Sequence, residues 1–303
     1  MPRTPQTVVV LNPTSGSASH GPAVRGRAAA LGYGLRETGP GTDAAALARA
    51  AAEAGASTVV AAGGDGTVNE VVRGLHSAEA LDSVSLGVLP VGTGNNFAKQ
   101  LGVTDLDAGF RVLRTGRRRR IDLGLADGRP FVNSCIAGLT ADASSETSVA
   151  LKRRLGVLAY LVTTLRSVST FESLRLTVRV DGPGTEPAWV GDALAVLVGN
   201  GRRFTPRRRR QADMEDGLFD VTVIRDVPVF HLMSDTLIER LLGRESTYVD
   251  RFRTPALTIE GHNPEATRFS LEGEIIQQRT LSIRNCTRTL PVLVGDAYTP
   301  APE

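Results

Sequence analysis

Between residues 7 and 114 the chain repeats one pattern, a short β-branched run followed by a longer stretch rich in Ala and Leu. Thr7–Leu11, Leu35–Thr38, Thr58–Ala62 and Ser85–Leu89 read as strands; Pro22–Leu31, Asp43–Ala54, Thr67–Leu75, Asn95–Leu101 and Leu106–Leu113 read as helices. Strand and helix in alternation predict a parallel sheet covered by helices. After about residue 117 the texture changes to strand-like runs joined by turns, among them Leu174–Val180, Ala193–Val198, Leu218–Ile224 and Leu281–Arg284. Helical stretches interrupt them near Leu155–Val168 and Val229–Leu242, and Gly182-Pro183-Gly184 reads as a hairpin loop. The fold class expected is therefore α/β plus mainly β: an N-terminal parallel-sheet domain, then a β-sandwich with a helical insertion. A composition shift at Gly116–Arg120 marks the boundary, and 303 residues suffice for two domains.

Three polar, Gly-containing loops follow expected strands and therefore fall on one edge of the sheet, where ligands bind in open α/β folds. They are Asn12-Pro13-Thr14-Ser15-Gly16-Ser17, Gly63-Gly64-Asp65-Gly66-Thr67-Val68-Asn69-Glu70 and Pro90-Val91-Gly92-Thr93-Gly94-Asn95-Asn96-Phe97-Ala98. Glycine lets the backbone approach an anion, and the helix opening after each loop offers free N–H groups and a favourable dipole to phosphate. Asp65 is unusual in a phosphate cradle, since a carboxylate meets phosphate only through Mg²⁺ or an ordered water. For the middle loop alone, a tight turn with Asp65 or Thr67 capping the next helix explains the residues equally well. None of the loops is a dinucleotide fingerprint: the last Gly of G-x-G-x-x-G is replaced by Asn69 and Phe97, and by Phe204 after Gly199-Asn200-Gly201.

Composition removes several classes. Of 35 Lys and Arg residues only Lys99 and Lys152 are lysine, and neither follows Gly, so the G-x₄-G-K-[ST] phosphate loop occurs nowhere. Cys135 and Cys286 are too few for a disulfide framework or a Cys-based zinc cluster, and His20, His76, His231 and His262 form no H-E-x-x-H. Reduced cytosol is the simplest compartment, and no basic segment with a long apolar run marks a signal peptide or a membrane span. Aromatics at 5% are sparse for a stacking-based single-strand binder, and no DNA-binding motif accompanies the arginines, so nucleic acid is not expected as a partner.

NPTSG at 12–16, GGDGTVNEVVRGL at 63–75, PVGTGNNFA at 90–98, FVNSCIAG at 131–138, DGLFDV at 216–221 and LEGE at 271–274 together resemble the diacylglycerol kinase catalytic family. That family includes bacterial lipid kinases and the sphingosine and ceramide kinases. The resemblance runs in order along nearly the whole chain. It implies an ATP- and Mg²⁺-dependent kinase of a lipid hydroxyl, diacylglycerol or a related lipid, with a nucleotide-binding domain like that of NAD kinase and diacylglycerol kinase over residues 1–120. A β-rich lipid domain over 121–290 would face it across a cleft, with 291–303 returning to the first domain.

Matched by motif, the resemblance implies ATP contacts from Asn12, Ser15, Thr38, Gly64, Asp65, Gly66, Thr67, Asn69, Glu70, Thr93, Asn95 and Glu274. It implies a structural metal site at Asp213, Asp216 and the backbone of Leu218, and acidic groups near magnesium at Asp65 and Asp122. Read alone, Glu215-Asp216-Gly217 is an acidic β-turn and Asp122 a partner for one of Arg117–Arg120. Glu272 is the general base expected to accept the lipid hydroxyl's proton, with Asp65 the second catalytic carboxylate. Without the resemblance Glu272 and Glu274 are two carboxylates on one exposed strand face.

Three departures stand out. Glu272 replaces the family's usual Asp and adds one methylene, moving the carboxylate by about 1 Å. Asn96 replaces an Asp, and Gly201–Arg210 replaces a Gly-rich segment. The runs Arg117–Arg120 and Arg207–Arg210 are either solvated faces or contacts to anionic headgroups of the membrane's inner face, where a cytoplasmic, peripheral enzyme would meet its lipid. Apolar residues within Leu155–Leu165 are candidates for an acyl pocket, and assembly as a homodimer is left open. A soluble-substrate kinase of the NAD kinase type and a catalytically impaired lipid- or nucleotide-binding relative are the alternatives.

Overall fold

The structure, a computed structural model, describes residues 6–138, 173–180, 188–203, 211–226 and 248–301. The expected strands Thr7–Leu11 (β1), Gly34–Glu37 (β2), Thr58–Gly63 (β3) and Ser85–Pro90 (β4) form a parallel sheet in the order β2-β1-β3-β4. Helices Gly21–Ala30 (α1), Ala44–Glu53 (α2), Asp65–Ser77 (α3), Asn96–Gln100 (α4) and Leu106–Thr115 (α5) cover it. Alternation along each strand sorts its side chains into two cores. Val8, Val10, Val59, Ala61, Leu86 and Val88 pack with α2 and α3. Val9, Leu11, Val60, Ala62 and Leu89 pack with Val24 and Ala28 of α1 and Phe110 of α5.

Local chemistry fixes where these helices begin. Asp43 caps α2 by accepting from the Ala46 N–H at 2.7 Å, and Asp105 caps α5 through the Ala108 N–H at 2.7 Å. α3 starts two residues before the expected Thr67, because Gly64 takes the extended N-cap conformation and no side chain caps it. Gly74 lets α2 and α3 approach closely: a Cβ there would lie 2.2 Å from the Ala45 carbonyl oxygen and 2.9 Å from Ala48 Cβ.

The second half is built of Arg117–Ala126 (β5), Arg129–Phe131 (β6), Ser134–Ala137 (β7), Leu174–Val180 (β8), Trp189–Gly199 (β9), Phe219–Arg225 (β10), Val249–Thr254 (β11), Ala256–Gly261 (β12), Thr267–Leu271 (β13), Glu274–Gln278 (β14) and Thr280–Val294 (β15). Within this half every ladder is antiparallel. β9 pairs with β8 through Trp189–Ala193 and then with β7 through Val196–Gly199, while β10 runs along its opposite edge from Ala193 to Gly199. The sheet thus folds over a single core containing Phe131, Val196, Phe219, Phe269 and Leu281, the expected β-sandwich-like unit. The expected helices at Leu155–Val168 and Val229–Leu242, the loop at Gly182–Gly184 and the run Arg207–Arg210 lie outside the described residues.

β15 joins the halves. Thr280–Arg284 pairs with β12, the strand runs antiparallel to β5, and Val292 pairs in parallel with Leu86 of β4. The four arginines read as a boundary marker are the first residues of β5, held in register by the end of β15: Arg117 opposes Val294 and Arg120 opposes Pro291. Among the described residues no helix is long and apolar enough to cross a membrane.

The contact at Gly74 makes a test that opposes helix propensity. Although Ala is the better helix former, Gly74→Ala should destabilise the protein by about 1–3 kcal/mol, because the clash is with backbone that cannot rotate away. Urea unfolding of both proteins reads the difference; unchanged stability would mean that α2 and α3 are farther apart.

Candidate active site

β1 lies between β2 and β3, so the connections leaving β1 and β3 diverge at their carboxyl ends and open a crevice there. The three Gly-containing loops meet at this point. Asn12 donates its main-chain N–H to the Ala62 carbonyl at 2.9 Å and reaches Thr67 Oγ1 with Nδ2 at 3.4 Å, linking the first loop to the second. Gly16, at φ +62, lies so near the third loop that a Cβ would meet the Val91 carbonyl oxygen at 2.4 Å. A Cβ on Gly92 would fall 2.3 Å from the Gly64 Cα, so the second and third loops touch backbone to backbone. Such approach is possible only without side chains and brings main chain to the crevice, in keeping with an anion site.

Several expected ATP contacts turn out to hold this scaffold together. The Asp65 carboxylate does not cap its own helix. It caps α4, accepting from the Phe97 N–H at 2.9 Å and from the Asn96 N–H and Nδ2 at 3.1 Å each. Asn96 therefore donates to Asp65, which an Asp at that position could not do with an ionised side chain. Glu70 accepts from the Ala44 N–H at 3.2 Å, at the start of α2. Asn95, at φ +52, closes its own loop by donating to the Gly92 carbonyl at 2.7 Å and accepting from the Gly92 N–H at 3.0 Å.

What remains open suits phosphate. The first-turn N–H groups of α3 have no side-chain cap, and space is free for at least 4 Å around the Cβ position of Gly66. Ser15 and Thr93 stand on the flanking loops, Thr93 exposed and Ser15 half-buried. Asn69 is buried with Oδ1 unpartnered, and Thr38 follows β2, its N–H bonded to the Leu11 carbonyl at 2.9 Å.

The turn Glu272-Gly273 between β13 and β14 reaches α3 from the second half. Arg73 of α3 pairs with Glu274 at 2.6 Å, so Glu274, expected at ATP, is engaged in an ion pair between the halves. Glu272 does not lie on an exposed strand face. Its Oε1 accepts from the Asn133 N–H at 2.5 Å and the Ser134 N–H at 3.1 Å, and its Oε2 from Asn133 Nδ2 at 3.0 Å. Burial raises its pKa, partly offset by those three donors, and the negative charge of Asp65 raises it further. Part of the residue nonetheless stays accessible. An acid desolvated, aimed and only partly exposed is suited to accept a proton.

The acidic turn at 213–218 is bonded to β5 and β15. Both Asp122 oxygens are taken by main-chain donors, Gly217 N–H at 2.6 Å and Arg288 N–H at 2.8 Å, and its burial raises its pKa. Asp122 is thus an anchor between this turn and β15 and not a partner of the neighbouring arginines. Asp213 accepts from the Glu215 N–H at 2.9 Å; Asp216 accepts from the Leu218 N–H at 3.0 Å and pairs with Arg253. Carboxylate and carbonyl oxygens fit a hard cation in kind, but Arg253 already places a positive charge on Asp216. Among the described residues no three His, Cys, Asp or Glu side chains gather as a metal-binding group.

The arginine run is likewise engaged internally. Arg119 forms a two-pronged pair with buried Glu215 at 2.9 and 2.5 Å, to which Tyr298 also donates at 2.9 Å. Arg120 donates to the Asp82 carbonyl at 2.8 Å, leaving Arg117 and Arg118 as the fully outward members. At the start of the second arginine segment, the Gly201 N–H donates to the Val132 carbonyl at 2.9 Å and its carbonyl accepts from Gln100 at 2.8 Å. Two residues of the site, Arg73 and Asn133, had no role from sequence; each sits inside a quoted motif, and only long-range packing reveals its partner.

A Gly-rich crevice at the carboxyl edge of a parallel sheet, tied by the Arg73–Glu274 pair to a β-sandwich that carries the half-buried Glu272, has the layout of a two-lobed enzyme with a site suited to an anionic ligand. Residues 6–126 match the diacylglycerol kinase catalytic domain, and residues 133–294 the YegS C-terminal NAD kinase beta sandwich-like domain. A Pseudomonas aeruginosa PAO1 protein named "Probable lipid kinase YegS-like" is 34% identical over 253 residues, covering 82% of this chain and 80% of its own. One of the same name from Stenotrophomonas maltophilia is 33% identical over 260 residues, 82% of each chain. A crystal structure of a diacylglycerol kinase from Bacillus anthracis shares the fold with TM-score 0.72 at 21% identity, over 96% of this chain and 97% of that one. The chain belongs to the YegS-like lipid kinases of the diacylglycerol kinase catalytic family, a kinase family whose phosphoryl donor is ATP.

Two predictions follow from the site's electrostatics. Asp65→Ala strips the cap from α4 and should cost about 0.5–2 kcal/mol in urea unfolding; an unchanged midpoint would mean that Asp65 does not hold the helix. Because the folded protein binds the Glu272 proton more tightly than the unfolded chain, this group favours folding below the unfolded pKa near 4.3, and that contribution is lost as pH rises toward the higher folded value. Glu272→Gln should therefore gain stability relative to the parent as the pH rises above about 4.3. A difference that stays constant with pH would show that the Glu272 pKa is not raised.

Proposed function

We propose that this chain transfers the γ-phosphoryl group of MgATP to a lipid hydroxyl, diacylglycerol or a related lipid. The observation that carries the reading is Glu272: a desolvated carboxylate, fixed by three N–H donors, on a turn tied by the Arg73–Glu274 pair to the helix whose N-terminus is open to phosphate. ATP phosphates would lie on the N–H groups of Asp65, Gly66 and Thr67, with the hydroxyls of Ser15 and Thr93 at the rim. Thr38 and Asn69 offer further polar atoms toward the nucleotide. The acceptor hydroxyl is a weak nucleophile, and Glu272 would take its proton as the new P–O bond forms.

Mg²⁺, when bound, would neutralise charge on the transferring phosphoryl group, with Asp65 the carboxylate nearest to it. A second cation at Asp213, Asp216 and the Leu218 carbonyl would be an alternative to the Arg253 pair, because both claim the same Asp216 carboxylate. Asp122 is left to its anchoring role. We assign the protein to the cytoplasm, with Arg117 and Arg118 meeting anionic headgroups at the membrane's inner face.

Incubation with γ-labelled ATP, Mg²⁺ and anionic vesicles containing diacylglycerol, in parallel with a total lipid extract and with NAD, tests the reading. Label is expected in a lipid and not in NAD, and Glu272→Gln should reduce transfer about 10²- to 10⁴-fold while ATP still binds. Label in NAD, or in no acceptor, would overturn it.

A further inference from the structure

We propose that Asn133 is the positioning residue of the general base, holding the Glu272 carboxylate in one plane with its side-chain amide and its own main-chain N–H together. The inference rests on the reading that Glu272 accepts the lipid hydroxyl's proton.

The backbone brings the two residues together. β13 pairs with β7 up to Leu271 opposite Cys135, and the Glu272 N–H donates to the Ser134 carbonyl at 3.2 Å. One residue past the ladder, Glu272 adopts φ +54 and Gly273 φ +98. A left-handed glutamate is uncommon, and strain of that kind persists only where surrounding contacts over-determine it. Here those contacts are the three donors on the carboxylate.

Their division between the two oxygens gives Asn133 its role. The torsion that sets a glutamate's carboxylate plane is broad and two-fold, so holding one oxygen leaves that plane free to turn. Main-chain N–H groups of Asn133 and Ser134 both serve Oε1. Oε2 is held by Asn133 Nδ2 at 3.0 Å, so the side chain of Asn133 fixes the plane. Oε2 then carries one donor against two on Oε1, and is the oxygen with more capacity for the substrate proton. The extra methylene of Glu over Asp adds one torsion, and this second contact removes the freedom it brings.

The orphan atom of the amide points the same way. Asn133 is 8% exposed and its Oδ1 is buried without a partner. Most buried amide atoms have a partner, and at Gln100 and Asn285, as at Asn133, the nitrogen donates while the oxygen has none. At Asn133 the end that is held is Nδ2, and what holds it is Oε2 of Glu272. The free Oδ1 also makes Glu272→Gln a clean reference, since a flipped Asn133 amide can accept from the new Gln Nε2.

The test uses the full chain in the labelled-ATP lipid assay with Asn133→Ala, Glu272→Gln and the double variant. Asn133→Ala is expected to lower kcat about 10- to 100-fold with the KM for ATP unchanged. The acidic limb of its kcat–pH profile should move to higher pH, because a donor to the charged carboxylate has gone; Asp65 and Cys135 are groups whose charge is coupled to Glu272, and they are unaltered. In the Glu272→Gln background the Asn133 change should have no further effect, the sign that it acts through Glu272. A purely structural Asn133 would lower the thermal midpoint without moving the pH limb and would add to the loss in the double variant; either result overturns the proposal. Asn133→Ser replaces the alanine variant, with the same expected outcomes, where alanine does not fold. An inactive Glu272→Gln beside a fully active Asn133→Ala overturns only the positioning role, whereas a fully active Glu272→Gln overturns the base itself.

Discussion

β15 contributes to two hydrophobic cores at once, and the relative placement of everything else follows from it. Leu281 and Ile283 lie in the core of the β-sandwich, whereas Leu290, Val292 and Val294 lie in the core of the parallel-sheet half. Between them the strand bulges from Cys286 to Leu290, and there the Arg288 N–H finds the buried Asp122 carboxylate. A buried carboxylate is costly unless hydrogen-bonded, and Asp122 is satisfied by the bulge on one side and by Gly217 on the other. The same acid therefore joins the crossover strand to the acidic turn, and Arg119, Glu215 and Tyr298 extend the network to the chain's last described segment.

The crevice solves an electrostatic difficulty. Acidic side chains beside phosphate would repel it, yet Asp65 and Glu70 both belong to the loop-helix unit that opens to the anion. Each is turned toward the N-terminus of another helix, Asp65 to α4 and Glu70 to α2. Their negative charge meets the positive end of a macrodipole, while the α3 N-terminus remains open. Under the proposed function, fixed donors in the loops would stand in for the lysine that other phosphate loops rely on, in a chain whose only lysines are Lys99 and Lys152.

Much of the first half was legible because helix and strand signals are local. Strands β1, β3 and β4 are short apolar runs, and Asp43 and Asp105 cap helices within three residues. Local reading failed where the partner is distant. Asp65 looked like a cap for its own helix, and nothing nearby in sequence shows α4 arriving 31 residues later. Arg117–Arg120 has the composition of a solvated face, and becomes a strand only because β15 supplies a ladder and Glu215, 96 residues from Arg119, a counter-ion. Glu272 and Glu274 share the two-residue spacing of one strand face, but the positive φ at Glu272 breaks that alternation. Charged edge strands such as β11 (VDRFRT) show no clean alternation of their own, since pairing with β10 decides them.

The shared strand has a consequence for synthesis on the ribosome. β4 is a buried strand of the parallel sheet, yet its outer neighbour is drawn from residues near Val292, translated 292 − 86 = 206 residues after the Leu86 it pairs with. Until they emerge, β4 keeps an unpaired apolar edge and β5 lacks the partner that orders its arginines. The parallel-sheet half thus precedes the β-sandwich in sequence yet waits for it, its apolar edge an aggregation hazard until β15 follows.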